Sequence, residues 1–433
     1  RFGRMALPPG PGGSVAAQTA RLLLRPVSYL ERCRREHGGT FTLRIVHAGT
    51  AVFISDPPSI KALFSADRVN VLPAGRNAVL EPLLGGRSLL LLNGDEHLSR
   101  RKLMLPPFHG ERMRSYERAI EEVAGREVDS WPAGDVFALH PAMQAITLDV
   151  IMRAVFGVSE ERRGELRSLL LRILAATRSP AAIGLTIRGV RDLGPFRRIR
   201  RTIEETDQLL AAEIAARRAA GDLAERTDIL SLLISARDEN GEGMSDRELR
   251  DQLMTLLMAG HETTATALAW AFDLLLQHPA AMTRLREEVA ADGHEYLDAV
   301  IEETLRLRPV VPWVGRELRE QAQLGGHELP AATVVMAAIY LAHTRPDVYD
   351  DPYAFRPERF LDEAIEAYGW IPFGGGTRRC IGASFAQLEM RVVLRTVLRR
   401  VALAPGRPRP EPVVRRNVTL APRHGTPAIV GLS

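Results

Sequence analysis

Apolar residues recur three and four positions apart from "DPPSIKALFS" to about residue 308, with breaks at Gly or Pro. That spacing predicts a run of amphipathic helices, one of them long, over about 246–277. On either side the period changes. Ahead of the helical block, a short helix over 26–36 leads into "FTLRIV" at 41–46 and "TAVFISD" at 50–56, two strands joined by a Gly-containing turn. Beyond it, strand-like segments return, including a hairpin around "LGGHELPAATVV", before a final helix over about 383–401 and a last hairpin in "RRNVTLAPRHGTPAIVGL". The fold class expected is mainly α with small β-sheets, an α+β arrangement. No period repeats and no linker divides the chain, so residues 1–433 are expected to form a single domain. Its β-rich lobe is drawn from about 37–60 and 310–345 plus the C-terminal hairpin.

Two segments stand out from this pattern. Roughly 68–93, "VLPAGRNAVLEPLLGGRSLLLLNGD", is irregular and rich in Leu, Gly and Arg. Apolar loops of that length cover a ligand site or pack on themselves. The other is "LLMAGHETTATAL" at 256–268, where Glu262, Thr263 and Thr264 sit mid-helix just after Gly260. Helix propensity disfavours such a cluster.

Composition narrows the reading. Hydrophobic residues make up 45% and charged residues 25%, without a low-complexity block, as in a globular protein with a sizeable core. The longest apolar stretches, "LLLL" at 89–92 and "VVMAAIYLA" at 334–342, fall short of the roughly 18 residues of a spanning helix. No membrane span is expected. Pro and Gly in "RFGRMALPPGPGGS", and the Arg25–Pro26 break in "RLLLRPVSYL", do not suit a secretory signal, so a cytoplasmic location is expected. The net charge is +4, yet all but two of the 57 basic residues are arginine, the exceptions being Lys61 and Lys102. That bias resembles the composition of a GC-rich bacterial genome. No basic run interleaved with aromatics supports nucleic-acid binding, whereas a basic patch for an acidic protein partner stays open.

Only Cys33 and Cys380 are cysteines, which cannot form a disulfide framework. Cys33, in the helical "YLERCRREHGG", reads as an inert thiol. Cys380 lies in "FGGGTRRCIG", 373–382, and has a different setting. A metal-binding thiolate needs a lowered pKa and nearby N–H donors. Gly374, Gly375 and Gly376 let amides turn inward, Arg378 and Arg379 bring positive charge, and a helix N-terminus follows at Ala383 and Ser384. One cysteine without a CxxC partner argues against zinc or an iron–sulfur cluster. A single axial ligand to haem fits.

This loop resembles the haem-binding segment of the cytochrome P-450 monooxygenases, F-x-x-G-x-[RH]-x-C-x-G, matched at every fixed position by Phe373, Gly376, Arg378, Cys380 and Gly382. The resemblance implies the cytochrome P-450 fold, with a long distal helix and a proximal cysteine loop sandwiching haem b (iron protoporphyrin IX). It makes Cys380 the metal ligand, with Phe373 tuning the sulfur and Gly374 and Gly382 completing the loop. "AGHETT" is similar to the family's distal motif [A/G]-G-x-[D/E]-T-[T/S]. By that match Ala259 and Gly260 border the haem where the helix opens for dioxygen, and Glu262 and Thr263 are the catalytic pair that delivers protons. Glu303 and Arg306 of "EETLRLRP" with Arg359 of "FRPERF" match the family's structural clamp. His97 and Arg101, four apart in "GDEHLSRRKLMLPPFHG", with Arg316 of "PWVGRE" and Arg378, match its propionate contacts.

The implied activity inserts one atom of O2 into an apolar small molecule, a fatty acid, terpenoid or steroid. Family pocket positions fall in the 68–93 loop, the helices around 170–195, Leu256, Ala259, Val310–Val314 including Val311 and Trp313, and the Val418–Thr419 turn. Arg76 and Arg87 are polar exceptions that could meet a substrate carboxylate. The chain has no G-x-G-x-x-G unit after a strand and no ferredoxin-like cysteine set. Electrons therefore come from a separate ferredoxin or flavodoxin with an NAD(P)H-dependent reductase, docked on a basic patch of Arg100, Lys102 and Arg379; a monomer is expected. The alternatives are a peroxide-driven or rearranging haem-thiolate enzyme and a non-catalytic haem-binding sensor.

Overall fold

The helix Asp246–Gln277 runs through the molecule for 32 residues. Its start is set by a capping box: the Ser245 hydroxyl accepts from the Glu248 amide at 3.3 Å, and the Glu248 carboxylate accepts from the Ser245 amide at 2.9 Å. Asp246 and Glu248 in its first turn also suit the helix dipole. A computed structural model describes residues 7–46, 49–66, 80–110, 112–157, 160–177, 194–362, 365–416 and 418–431.

The long helix packs along Leu139–Phe156 and also meets Gly194–Ala219, Glu295–Leu307 and Ala383–Arg400. Leu139–Phe156 is apolar on nearly all sides, because Arg112–Val128 and Ile229–Ser235 cover the faces the long helix leaves free. Most of the buried apolar side chains of these helices form one continuous core.

Two smaller cores flank a four-stranded sheet. Thr40–Ile45 pairs antiparallel with Gly49–Ile54, which runs parallel to Val334–Ala337, which in turn pairs antiparallel with Val314–Glu317. Cys33 is packed into one of these small cores, where burial pushes its thiol up to about 11. A second sheet orders Val136–Ala138, Pro427–Val430 and Leu403–Pro405, while Val413–Arg416 pairs with Thr419–Pro422.

The expected helices 26–36, 246–277 and 383–401 correspond to Pro26–His37, Asp246–Gln277 and Ala383–Arg400. The helix Val15–Leu24 is additional, started by Ser14 accepting from the Ala17 amide at 3.2 Å. The "LGGHELPAATVV" hairpin divides. Gly325 and Gly326, at φ of +58° and +76°, turn Ala322–Leu324 back onto His327–Leu329, and Val334–Ala337 leaves for the larger sheet after Ala332 at φ +62°. The C-terminal segment divides likewise, with Pro427–Val430 joining a different sheet from Thr419–Pro422. Parts of the expected 68–93 loop and 170–195 helices, Arg76 among them, lie outside the described residues. Among the described residues no helix is long and apolar enough to cross a membrane.

Candidate active site at the cysteine loop

The chain reaches Cys380 through a turn built on glycine. Gly374 and Gly376 have φ of +69° and +67°, a region that costs other residues strain. The Gly374 amide donates to the Ile371 carbonyl at 2.9 Å, and the Cys380 amide to the Phe373 carbonyl at 2.9 Å. Gly375 is required for a different reason: a Cβ there would stand 2.3 Å from the Phe64 ring. Gly375→Ala should lower the haem-to-protein ratio and cost about 1–3 kcal/mol by overpacking. Measuring that ratio in Gly375→Ala and in Gly375→Ala with Phe64→Leu checks the cause, since the second change should recover much of the loss.

The Cys380 sulfur is open to solvent on one side and walled by protein on the others. Contrary to the lowered thiol the loop sequence predicts, desolvation raises it, and the Gly382 amide, Arg101 and Arg379 offset only part of that. Arg101 comes from Gly94–Met104; burial lowers its guanidinium and the neighbouring Cys380 sulfur offsets part of that. His97, four residues earlier, is buried. Arg378 donates to the Leu92 carbonyl at 2.5 Å and to the Asn93 side-chain oxygen at 2.9 Å, fastening the cysteine loop to the entry of that helix. Arg316 is buried, lies 5.3 Å above the Phe64 ring and reaches the Gly375 carbonyl at 3.4 Å. Arg101, Arg316 and Arg378 thus converge on one loop. Phe373 packs on the main core and against Trp370, ring centroids 6.3 Å apart.

The long helix carries the other half of the site. It is buried over Asp251–Leu257 and again from Thr264, yet Ala259 between them is exposed, so the helix borders a recess there. A Cβ on Gly260 would already meet Ile151 at 3.3 Å. The Thr263 and Thr264 hydroxyls donate to the Ala259 and Gly260 carbonyls at 2.6 and 3.1 Å. The helix runs unbroken through Gly260, so the implied opening is not present; the two hydroxyls bond back onto the preceding turn of a continuous helix. The Glu262 carboxylate accepts from Gln144 at 2.6 Å. Near Thr264 lies Glu389 of the helix that follows Cys380, a buried carboxyl whose pKa desolvation raises well above normal.

Behind the loop, Glu303, Arg306 and Arg359 are all buried. Arg306 donates to both Glu303 oxygens at 2.6 and 2.8 Å, and Arg359 donates to Glu303 at 3.2 Å. The same guanidinium of Arg306 binds the His343, Pro352 and Ala354 carbonyls at 2.8, 2.7 and 3.1 Å. His343 in turn accepts the Ile371 amide at 2.7 Å, two residues before Phe373. Burial and Arg306 push its imidazole down to about 3, so it stays a neutral acceptor.

The family model described as Cytochrome P450 matches residues 16–426. The chain belongs to the cytochrome P-450 family. Cytochrome P-450 135B1 of Mycobacterium tuberculosis is 44% identical over 430 residues, covering 97% of this chain and 90% of the relative. Cytochrome P-450 137 of the same species is 39% identical, covering 91% of this chain and 83% of the relative. Among solved structures, retinoic acid-bound cyanobacterial CYP120A1 superposes with a TM-score of 0.85 at 26% identity, covering 98% of this chain and 99% of that one. The P-450 fold, haem b as cofactor and monooxygenase chemistry follow from membership.

The residues present fit haem b. An accessible sulfur, glycines 374 and 376 in a conformation that brings backbone close, and three guanidinium groups beside buried His97 form a donor set for a planar dianion with one axial ligand.

Other expected residues are placed differently. Arg87 forms an ion pair with Glu96 at the surface and does not stand free for a substrate. Arg100 is drawn to Glu248 at 2.8 Å and Lys102 to Glu239 at 2.7 Å, which leaves Arg379 as the one member of the expected docking patch without such an ion pair among the described residues. Leu256 is buried, Trp313 stacks edge-on to Phe53 with centroids 5.9 Å apart, and Val311 is half-buried. Thr419 is buried and bonds the Arg416 carbonyl at 2.8 Å, whereas Val418 is 60% exposed at the turn. His140, Gln144, His343 and Glu389 were not legible as site residues. His140 and Gln144 come from one helix and His343 and Glu389 from two others, and nothing in their local sequence marks them.

Proposed function

We propose that this P-450 oxidises an apolar small molecule, a fatty acid, terpenoid or steroid, using electrons that a ferredoxin or flavodoxin relays from an NAD(P)H-dependent reductase. Residues 1–433 act as one domain in this reading, and the protein works as a cytoplasmic monomer. The observation that carries it is the pairing of an accessible Cys380 sulfur with a distal helix that exposes Ala259 and presents Glu262 and Thr263. CYP120A1, whose structure holds retinoic acid, an apolar isoprenoid acid, supports the substrate class.

Cys380 would hold the iron, and His97, Arg101, Arg316 and Arg378 would neutralise the propionates. Haem b with a thiolate ligand supplies the electron push that favours O–O cleavage. The protein's part is positioning and proton supply. The Gly382 amide lies where it favours the charged form of the sulfur, against the desolvation that opposes it. Thr263 has a hydroxyl proton that now goes to the Ala259 carbonyl at 2.6 Å and becomes available to dioxygen by a rotation of its side chain. Glu262, held by Gln144, replaces that proton from solvent as a general acid. Apolar Leu256, Val311 and Trp313 would exclude water and hold the substrate, with Val418 and Thr419 at the outer turn.

Thr263→Ala should raise peroxide released per NADPH consumed, by about tenfold or more if the hydroxyl contributes as a general acid. Unchanged coupling would remove Thr263 from proton delivery. The substrate class is tested by titrating holoprotein with fatty acids, terpenoids and steroids and following the low-to-high-spin shift. A shift followed by oxidised product supports the reading; a protein with an intact thiolate spectrum that responds to none of the three sinks it.

A further inference from the structure

Glu262 is not left to solvent. His140, the second residue of Leu139–Phe156, is wholly buried and faces the long helix from below. Its Nε2 lies 3.2 Å from the Thr266 hydroxyl and 4.0 Å from a Glu262 carboxylate oxygen. Its Nδ1 lies 3.1 Å from a nitrogen of Arg416 on the C-terminal hairpin. One helical turn after His140, Gln144 donates to the other Glu262 oxygen at 2.6 Å. Two side chains of one neighbouring helix, one of them touched by the C-terminal hairpin, therefore border a carboxylate that the local motif alone would leave free to swing.

The chemistry of Arg416 decides what His140 can do. A guanidinium has donors and no acceptor, so the Arg416–His140 contact requires a lone pair on Nδ1 and places the ring proton on Nε2. His140 is thereby a fixed N–H donor turned toward Thr266 and Glu262, and not a carrier of protons. With Gln144 on one oxygen and the Nε2–H dipole near the other, the Glu262 carboxyl group is held in one orientation.

We propose that His140 and Gln144 are positioning residues for Glu262, with Arg416 fixing the His140 tautomer. The proposal rests on the reading of Glu262 as the proton source. Holoenzyme with a surrogate ferredoxin and reductase, and retinoic acid as probe, would be assayed for peroxide released per NADPH and for the solvent isotope effect on NADPH consumption. The variants are Glu262→Gln, His140→Leu, His140→Gln, Gln144→Leu and the pair His140→Leu with Glu262→Gln.

His140→Leu and Gln144→Leu should each raise the peroxide share about three- to tenfold while the carbon monoxide band stays that of thiolate ligation. His140→Gln, whose amide can occupy the Nε2–H position, should restore most of the coupling. His140→Leu should add little once Glu262 is glutamine, because the residue it positions is gone. If Glu262→Gln itself leaves peroxide unchanged, the reading of Glu262 fails and this inference with it. If Glu262→Gln uncouples the enzyme while His140→Leu and Gln144→Leu do not, the positioning role is overturned and Glu262 stands. Should His140→Leu yield no holoenzyme, Gln144→Leu decides by the same criterion.

Discussion

Cys380→Ser should give a protein whose dithionite-reduced, carbon monoxide-treated spectrum lacks the long-wavelength Soret band of thiolate ligation, with monooxygenase turnover lower by orders of magnitude. A serine hydroxyl keeps the shape of the side chain but not the soft anionic donor that pushes electron density onto iron. The loop itself should survive, because its turn depends on Gly374 and Gly376 and on the Cys380 amide bonding the Phe373 carbonyl at 2.9 Å, none of which needs the sulfur. Cys33→Ala is the control. Cys33 is buried in a separate small core, so that variant should lose a little stability and keep the band. A thiolate spectrum in Cys380→Ser would refute the assignment of the ligand.

Glu303→Ala should fail to accumulate as folded holoprotein. Two buried guanidinium groups, Arg306 and Arg359, share this one carboxylate, and the Arg356 amide donates to it as well at 2.8 Å. Removing one partner of a buried ion pair leaves an uncompensated charge, at about 3–5 kcal/mol. Against a total stability of about 5–15 kcal/mol that is a large share. The damage would pass to the metal ligand along the chain of contacts from Arg306 to His343 and from His343 to the Ile371 amide. Glu303→Gln keeps two hydrogen-bonding atoms and should lose less. Haem content and the thermal midpoint of the two variants measure the difference; a Glu303→Ala protein as stable as wild type and fully loaded with haem would rule out the clamp.

Much of this was legible in the sequence because it is local. The long helix, expected over about 246–277, runs from Asp246 to Gln277, since its apolar period lies within the segment itself. The cysteine loop was readable for the same reason: glycine, arginine and cysteine in that order determine a turn, a positive environment and a donor atom. Cations were less legible. Arg87, Arg100 and Lys102 looked available, and each is taken by an acidic residue, Glu96, Glu248 or Glu239, that only the folded chain brings near. In a chain where nearly every basic residue is arginine, the side-chain type carries little information about role.

The hairpins divide in the same way. Alternation correctly marked strands at "LGGHELPAATVV" and in the C-terminal tail, but it could not say that Val334–Ala337 pairs parallel with Gly49–Ile54. Strand pairing is a long-range choice governed by which apolar faces must be covered. The sequence by itself determined the family, the order of elements, the cysteine that meets the metal and the acid and alcohol of the distal helix, because each is written within a dozen residues. Tertiary structure alone decided which side chains surround those groups. Arg416 reaches His140, His140 and Gln144 reach Glu262, and His343 braces the cysteine loop, through contacts between residues from 28 to 276 positions apart. No local period encodes such contacts; they arise when packing of the apolar core brings the helices together and each buried polar group must find a partner there.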